Sequence, residues 1–193
     1  MIQVQPVYLH REFAPIVQAV SNKLLHQLKA YDDFITGVHY LFGHPLEIIN
    51  TLKGYSQGGD KRFDKYPLVA FFLDTTEDKS GIPGIYAEYS IHMAIIRSCN
   101  DPTQTADERD QQNFIPVLTP IYMELINQIG YRGDIFQIDN IESIPHRKTN
   151  RYYWGRSGLW GNEANIFDDW VDCIEIQNLK LKVFTNYCPK QVV

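Results

Sequence analysis

A glycine-rich stretch at residues 54–59, GYSQGG, has two glycines at the spacing of a phosphate-binding loop. Such a loop needs Lys and then Ser or Thr after the second glycine, because these side chains hold the phosphates and the metal ion. Here Asp60 and Lys61 follow Gly59, and the stretch is predicted to follow a helix instead of a strand. The sequence therefore argues against a nucleotide site in this loop.

The histidines and cysteines form no recognised ligand or nucleophile motif. His39 and His44 are five residues apart, and no nearby cysteine or carboxylate completes a metal-binding set. Cys99, Cys173 and Cys188 are odd in number and widely spaced, which predicts reduced thiols and neither a disulfide framework nor a zinc site. No cofactor or metal is expected.

Paired carboxylates were the remaining catalytic candidates. A metal-dependent nuclease places an Asp near a Glu-x-Lys on the next strand, where the carboxylates bind Mg²⁺. Asp74 and Glu88 are the nearest pair, but Ser90 stands where the lysine is required. A small metal-dependent enzyme acting on nucleic acid therefore stays as an alternative, and the main expectation is a protein that is not an enzyme.

Residues 146–156 combine basic and aromatic side chains and contain no acid. Such a mixture contacts a nucleic-acid backbone or stacks on bases. The same residue types are enriched in the hot spots of protein–protein interfaces. Because the whole chain is acidic, pairing with carboxylates of a neighbouring subunit is the preferred interpretation, beside DNA contact and a solvated hairpin tip.

Composition is that of a globular protein of ordinary domain size. The chain has 193 residues, 44% of them hydrophobic, with a net charge of −5 and a pI of about 5.6. A protein that coats DNA is usually basic, so general nucleic-acid binding is disfavoured. The sequence contains no apolar run of about 20 residues, the length that a membrane-spanning helix needs. The N-terminal residues also lack the basic region followed by an apolar stretch that is typical of a signal peptide, so no membrane contact is expected.

The hydrophobic pattern predicts an α+β fold, with a mixed or antiparallel sheet of long strands packed against two main helices. Apolar residues at helical spacing predict a first helix over 12–31, and a short second helix is expected from His44 to a stop at Gly54. Thr105 and Glu108 match a capping box that opens a third helix, in which Pro116 and Pro120 predict a kink.

Strands are predicted over 67–74, 85–99, 134–144 and 171–185. The 85–99 strand is long enough to reach a neighbouring subunit, or else contains a bulge or bend. In the last strand the alternation changes phase near Gln177 and Asn178, which predicts a bulge. The expected organisation is an N-terminal arm at 1–10, one domain at 11–185 and a C-terminal tail at 186–193.

The central block of the chain resembles neck proteins of tailed phages: tail terminators, tail-completion proteins and head–tail connector rings, most of all those of crAss-like phages. The likeness covers roughly residues 66–184 as a diffuse pattern. It is carried by KYPLVAFFLD at 65–74, the 86–97 strand, the capped helix with Phe114, Leu118 and Tyr122, and DCIEI at 172–176.

The resemblance implies a structural virion protein, made in the host cytoplasm, that forms a ring joining portal and tail and sealing the DNA channel. Expected partners are further copies of the chain, neighbouring portal, connector and tail proteins, and transiently the DNA in the channel. A ring needs two different contact patches on each subunit. The candidate interface residues are Tyr86, Glu88 and Tyr89 in the long hairpin and Arg147, Arg151, Tyr153, Trp154 and Arg156 in the basic segment. A monomeric cytosolic binding module is the remaining alternative.

Overall fold

The computed structural model describes residues 8–57, 65–78, 86–99, 101, 103–138, 144–154 and 169–184. Within them the helices are α1 (Leu9–Tyr31), α2 (Pro45–Gln57), α3 (Ala106–Arg109) and α4 (Thr119–Gly130), with a π-helical stretch, Asp110–Leu118, joining α3 to α4. The strands are β1 (His39–Gly43), β2 (Leu68–Asp78), β3 (Tyr86–Ser98), β4 (Phe136–Gln137), β5 (Arg147–Arg151) and β6 (Val171–Phe184).

These strands form one mixed sheet in the order β1-β2-β3-β6-β4, with β5 also paired to β6. The β1–β2 pair is parallel, because α2 carries the chain back between the two strands, and the other pairs are antiparallel. The α+β class and the mixed sheet predicted from the sequence are confirmed. No described helix has both the length and the apolar character needed to cross a bilayer.

Helices cover both faces of the sheet. On one face, α1 and the helical stretch at 106–130 pack on alternate residues of β2, β3 and β6, including Phe71, Ile95 and Ile174. On the other face, α2 packs on a smaller apolar cluster that includes Ala70 and Ile96. Because both faces of β2 and β3 are buried here, their apolar residues run almost without interruption.

The long strands agree with their predicted positions. β3 pairs with β6 from Tyr86 opposite Phe184 to Ser98 opposite Val171. The predicted bulge in β6 is confirmed: Gln177 and Asn178 lie opposite the single residue His92, and Asn178 has φ +52°. β2 also contains an irregularity, since residues 73–75 lie opposite Ile91 alone.

The capping box is confirmed. The Thr105 hydroxyl accepts a hydrogen bond from the Glu108 N–H at 3.3 Å, and Glu108 accepts one from the Thr105 N–H at 2.8 Å. The helix then widens, and the Thr119 N–H donates to the carbonyl of Phe114, five residues earlier. A π-helical stretch with Pro116 inside it therefore stands where the two prolines predicted a kink.

Several boundaries differ from the predicted ones. α1 begins at Leu9, whose side chain is buried, so Leu9 and His10 belong to the helix and not to an arm. α2 continues through Gly54 to Gln57, which shows that a glycine alone does not end a helix. β1 was not predicted, and of the strand expected over 134–144 the described part contains only Phe136–Gln137. The predicted C-terminal tail, 186–193, lies outside the described residues.

Candidate subunit interface

The basic-aromatic segment becomes β5 and the turn that follows it. Along β5, every side chain except Thr149 is exposed to solvent. Arg151 donates to Glu175 on the adjacent strand β6 at 2.9 Å, and its side chain is 49% exposed. The ammonium group of Lys148 lies 5.0 Å from the centre of the Tyr122 ring. A carboxylate partner for Arg151 is thus present within the same chain, although half of the arginine side chain still faces solvent.

The turn at 152–154 is held against the sheet by Tyr153. This residue has φ +53°, a left-handed conformation that costs free energy in a non-glycine residue and needs compensating contacts. Its N–H donates to Asp172 at 3.2 Å, and its hydroxyl donates to the carbonyl of Gln104 at 2.9 Å. Its ring lies over the Arg109 guanidinium, 3.6 Å from the ring centre, which is a cation–π contact.

Beneath the turn lies a buried ion pair. Arg109 Nη1 donates to Asp172 at 2.6 Å, Asn113 donates to the other carboxylate oxygen at 2.6 Å, and both charged side chains are 0% exposed. Burial alone would lower the pKa of Arg109, but the Asp172 carboxylate outweighs it and raises that pKa. Arg109 therefore keeps its charge, and its contact with Asp172 ties the capped helix to the start of β6.

Tyr152 and Trp154 lie on either side of Tyr153 in the turn above the Arg109–Asp172 ion pair. The Tyr152 hydroxyl donates to Asp110 at 2.7 Å, and this hydrogen bond, together with burial, raises the pKa of Tyr152 to about 12. The Trp154 indole N–H donates to Glu175 at 3.1 Å, and its ring packs toward Phe72 on the face covered by α2. The turn is fixed by contacts within the chain, so its outward face is preorganised. Arg156 lies outside the described residues.

The hairpin candidates lie elsewhere on the sheet. Glu88 pairs with Lys180 at 3.3 Å, and the Lys182 ammonium lies 5.3 Å from the Tyr86 ring centre. The Tyr89 hydroxyl donates to Glu77 at 2.8 Å, and burial, followed by this hydrogen bond, raises the pKa of Tyr89 to about 12. All three candidate residues are partly exposed.

The two predicted patches are therefore separate. The hairpin candidates pair with the far end of β6, from Leu181 to Phe184, whereas β5 pairs with residues 173–177 of the same strand on its opposite side. The structure brings Arg151, Tyr153 and Trp154 together around Glu175 and Asp172, and it places Tyr86, Glu88 and Tyr89 together at another position. This separation agrees with two distinct surfaces on one subunit, while their use as interfaces stays a prediction.

Sequence reasoning missed a second polar cluster, on the face covered by α2. Lys65 is buried and pairs with Asp169, and it also donates to the Ser56 hydroxyl at 2.6 Å. The Tyr66 hydroxyl donates to the same carboxylate at 3.2 Å. These contacts fasten the end of α2 and the start of β2 to the residues before β6. The only sequence signal was a charged residue directly before an apolar run.

A third exposed group is aromatic and lies on β1, the outermost strand of the sheet among the described residues. The His10 ring lies 4.4 Å from Phe42 and 5.9 Å from Tyr8, and the Tyr40 hydroxyl donates to the carbonyl of His10. Tyr8 and Phe42 are 51% and 44% exposed. This group has the residue types of a contact surface, and the missed β1 strand explains why the sequence did not indicate it.

Within the described ranges, no three His, Cys, Asp or Glu side chains come together as a metal-binding group. The two described cysteines, Cys99 and Cys173, are buried and unbridged, and burial raises the pKa of each thiol. No known protein-family model matches the chain, and a comparison with curated proteins finds no relative.

Proposed function

We propose that this chain is a structural virion protein that forms an oligomeric ring at the neck of a tailed phage, joining the portal to the tail and sealing the DNA channel. The sequence resemblance gives the location. The observation that supports assembly is that the described part of the sheet has two chemically different sides, an aromatic one formed by β1 and a basic one formed by β5.

A subunit with two different contact surfaces suits a ring. Head-to-tail contacts join one surface to the other surface of the next copy, and they generate a closed ring when the rotation between copies closes. A two-fold dimer would instead use one surface twice. The difference in composition between the two sides of this sheet favours the head-to-tail arrangement.

The basic side also has the rigidity expected of a contact surface. Tyr153 and Trp154 are held by hydrogen bonds to Asp172, Gln104 and Glu175. A surface that is ordered before binding loses less conformational entropy when a partner arrives. Tyr, Trp and Arg are also the residue types that dominate measured hot spots.

Two measurements test this proposal. The mass of the purified chain in solution, with negative-stain images of the main species, is expected to show closed rings. In a phage that encodes the chain, loss of its gene is expected to yield filled heads and separate tails that do not join. Particles that assemble and infect normally without the protein would contradict the neck function.

A further inference from the structure

The helical stretch at 106–130 presents an uncharged and partly apolar surface to solvent. Between residues 111 and 131 the sequence has a single charged residue, Glu124, which is buried and paired with Lys23. Ile115 and Met123 are 57% and 59% exposed and lie eight residues apart, about two helical turns. These two side chains are here called the helical stripe. Depletion of charge and enrichment in Met are typical of the centre of a protein interface.

The second exposed surface is the aromatic group on β1 and at the start of α1, here called the aromatic patch. It consists of Tyr8, His10 and Phe42, and the His10 ring packs against both of the others. Arg11 is exposed, and its guanidinium lies 4.8 Å from the centre of the Tyr8 ring. The aromatic patch therefore combines large exposed rings with one cation.

The charges beside the two surfaces are of opposite sign. Asp107 is exposed in the first turn of α3, about two helical turns before Ile115. Among the described residues, the Asp107 carboxylate is paired with no cation, and Arg11 contacts a ring but no carboxylate. Opposite charges at the rim of an interface steer the two partners together and fix their register. The helical stripe and the aromatic patch are therefore complementary in charge.

The two surfaces belong to different parts of the subunit. α1 packs on β1 and β2 and also on α4, and the Lys23–Glu124 pair joins the two helices, whereas the π-helical stretch packs on β3 and β6. The helical stripe is on the side of β5, because Lys148 of β5 lies on the Tyr122 ring of α4. A second copy of the chain is therefore needed to bring the stripe onto the aromatic patch.

We infer that the helical stripe of one subunit packs on the aromatic patch of the next copy of the chain, with Asp107 beside Arg11, as the head-to-tail contact of the ring. This inference rests on the proposed function and names the residues through which the β1 side and the β5 side of neighbouring subunits meet. It adds Ile115, Met123 and Asp107 to the interface candidates that the sequence indicated.

The residue types of the two surfaces suit this contact. A methionine thioether packs favourably against aromatic rings, and its flexible side chain adapts to the shape of the partner. The Phe42 ring is held by His10 at 4.4 Å, so it is ordered before a second copy arrives. An apolar centre with charged groups around it is also the usual composition of a protein interface.

Two variants each remove one surface. Tyr8→Asp with Phe42→Thr removes the aromatic patch, and both new residues suit their positions, since Tyr8 is the N-cap of α1 and Phe42 is in a strand. Ile115→Glu with Met123→Glu removes the helical stripe and introduces good helix formers. Sedimentation equilibrium measures the association of each variant and of their equal mixture, and native mass spectrometry identifies which copies combine.

Each two-site variant alone is expected to associate at least about tenfold more weakly than the wild type, because a few large side chains dominate most interfaces. The equal mixture is expected to form one-to-one heterodimers and nothing larger, since each variant keeps the surface that the other has lost. Misfolded subunits would not form such heterodimers, so this result separates loss of the contact from loss of structure.

Charge exchange tests the rim of the contact. Arg11→Asp alone and Asp107→Arg alone are each expected to weaken association by about threefold, because an exposed ion pair contributes little and like charges then meet. The variant with both changes is expected to regain most of the wild-type association, because the two signs are exchanged. A double variant that associates no better than either single variant would overturn the placement of Asp107 beside Arg11.

Leu46→Glu is the matched control. Leu46 is 64% exposed, more than any of the four residues changed in the two-site variants, and it lies on α2, which covers the other face of the sheet. This change is expected to leave association unchanged. Two-site variants that associate like the wild type, a mixture that stays monomeric, or a two-site variant that forms dimers alone would overturn the inference.

A wild-type chain that stays monomeric at the highest concentrations reached would assign both surfaces to other partners and would also overturn it. The neck function is judged separately by the phage that lacks the gene.

Discussion

Arg109 and Asp172 join the capped helix to β6, and neither side chain is accessible to water. A buried charged pair needs good geometry and further hydrogen bonds to offset the loss of hydration. Asp172 accepts from Arg109, from Asn113 and from the Tyr153 N–H. The Tyr153 ring covers the guanidinium, whose Nη2 has no hydrogen-bond acceptor among the described residues.

Removal of one partner tests this anchor. Arg109→Ala is expected to lower the free energy of unfolding by about 3–5 kcal/mol, because it leaves the Asp172 carboxylate buried without its countercharge. Urea unfolding, followed by circular dichroism, measures the change. Arg147→Ala is the control, and as an exposed substitution it is expected to change stability by less than about 0.5 kcal/mol. A loss below about 1 kcal/mol for Arg109→Ala would show that the pair is not an anchor.

Sequence reasoning selected Arg151, Tyr153 and Trp154 by their residue types, but it did not indicate which residues of the chain they contact. Their partners within the chain, Glu175 and Arg109, are distant in sequence, and no local pattern indicates a contact that depends on how β5 docks on β6. The capping box was predictable, because Thr105 and Glu108 interact within one helical turn. Local interactions were therefore visible in the sequence, and tertiary ones were not.

At the scale of elements, the β6 bulge explains how apolar residues on both sides of it face the same core although their alternation changes phase. Before it, Ile174 and Ile176 face the helical layer, and after it Leu179 and Leu181 face the same layer. Without the extra residue the second pair would point to the opposite face. The left-handed conformation of Asn178 is the local feature that makes the bulge.

Substitution of Asn178 tests the bulge. Asn178→Val is expected to lower the free energy of unfolding by about 1–2 kcal/mol, because a β-branched residue is disfavoured at φ near +52°. Asn178→Gly is the control and is expected to be close to neutral, since glycine adopts this conformation freely. Because Asn178 is exposed, packing changes little in either variant. Equal stability of the two variants would contradict the left-handed assignment.

The elements that the sequence predicted well are those with long, regular patterns. β3 and β6 alternate over more than ten residues, and α1 repeats its apolar residues over several turns, so one irregular position does not hide the pattern. β1 is only five residues long, and strand and loop are hard to distinguish at that length. The strand predicted over 67–74 extends further in the structure, because the polar residues 75–78 form the outer end of β2.

At the scale of the whole molecule, charge is sorted by position. The net charge is −5, yet the exposed charges of β5 are all basic and those of residues 73–78 in β2 are all acidic. A uniform distribution would make copies of the chain repel at every approach. A sorted distribution gives the chain local surfaces of opposite sign despite its net negative charge.

Ionic strength tests this sorting. Self-association is expected to weaken steadily as NaCl rises from about 0.05 M to about 1 M, because the screening length falls from more than 10 Å to about 3 Å. Sedimentation equilibrium at several salt concentrations measures the effect. Urea unfolding of the monomer under the same conditions is the control, and its midpoint is expected to change little. Association that strengthens with salt would show that repulsion between the net negative charges outweighs these local attractions.

The pairing of β3 with β6 also has a consequence for how the chain reaches its fold. Each of these residue pairs closes a loop of roughly 70–100 residues, and the entropy of loop closure makes such distant contacts slow to form. The β2–β3 hairpin is local, so we expect it to form before β6 docks, which leaves the β6-facing edge of β3 unpaired. At that stage we expect the acidic residues at the outer end of β2 to discourage aggregation of the exposed strands.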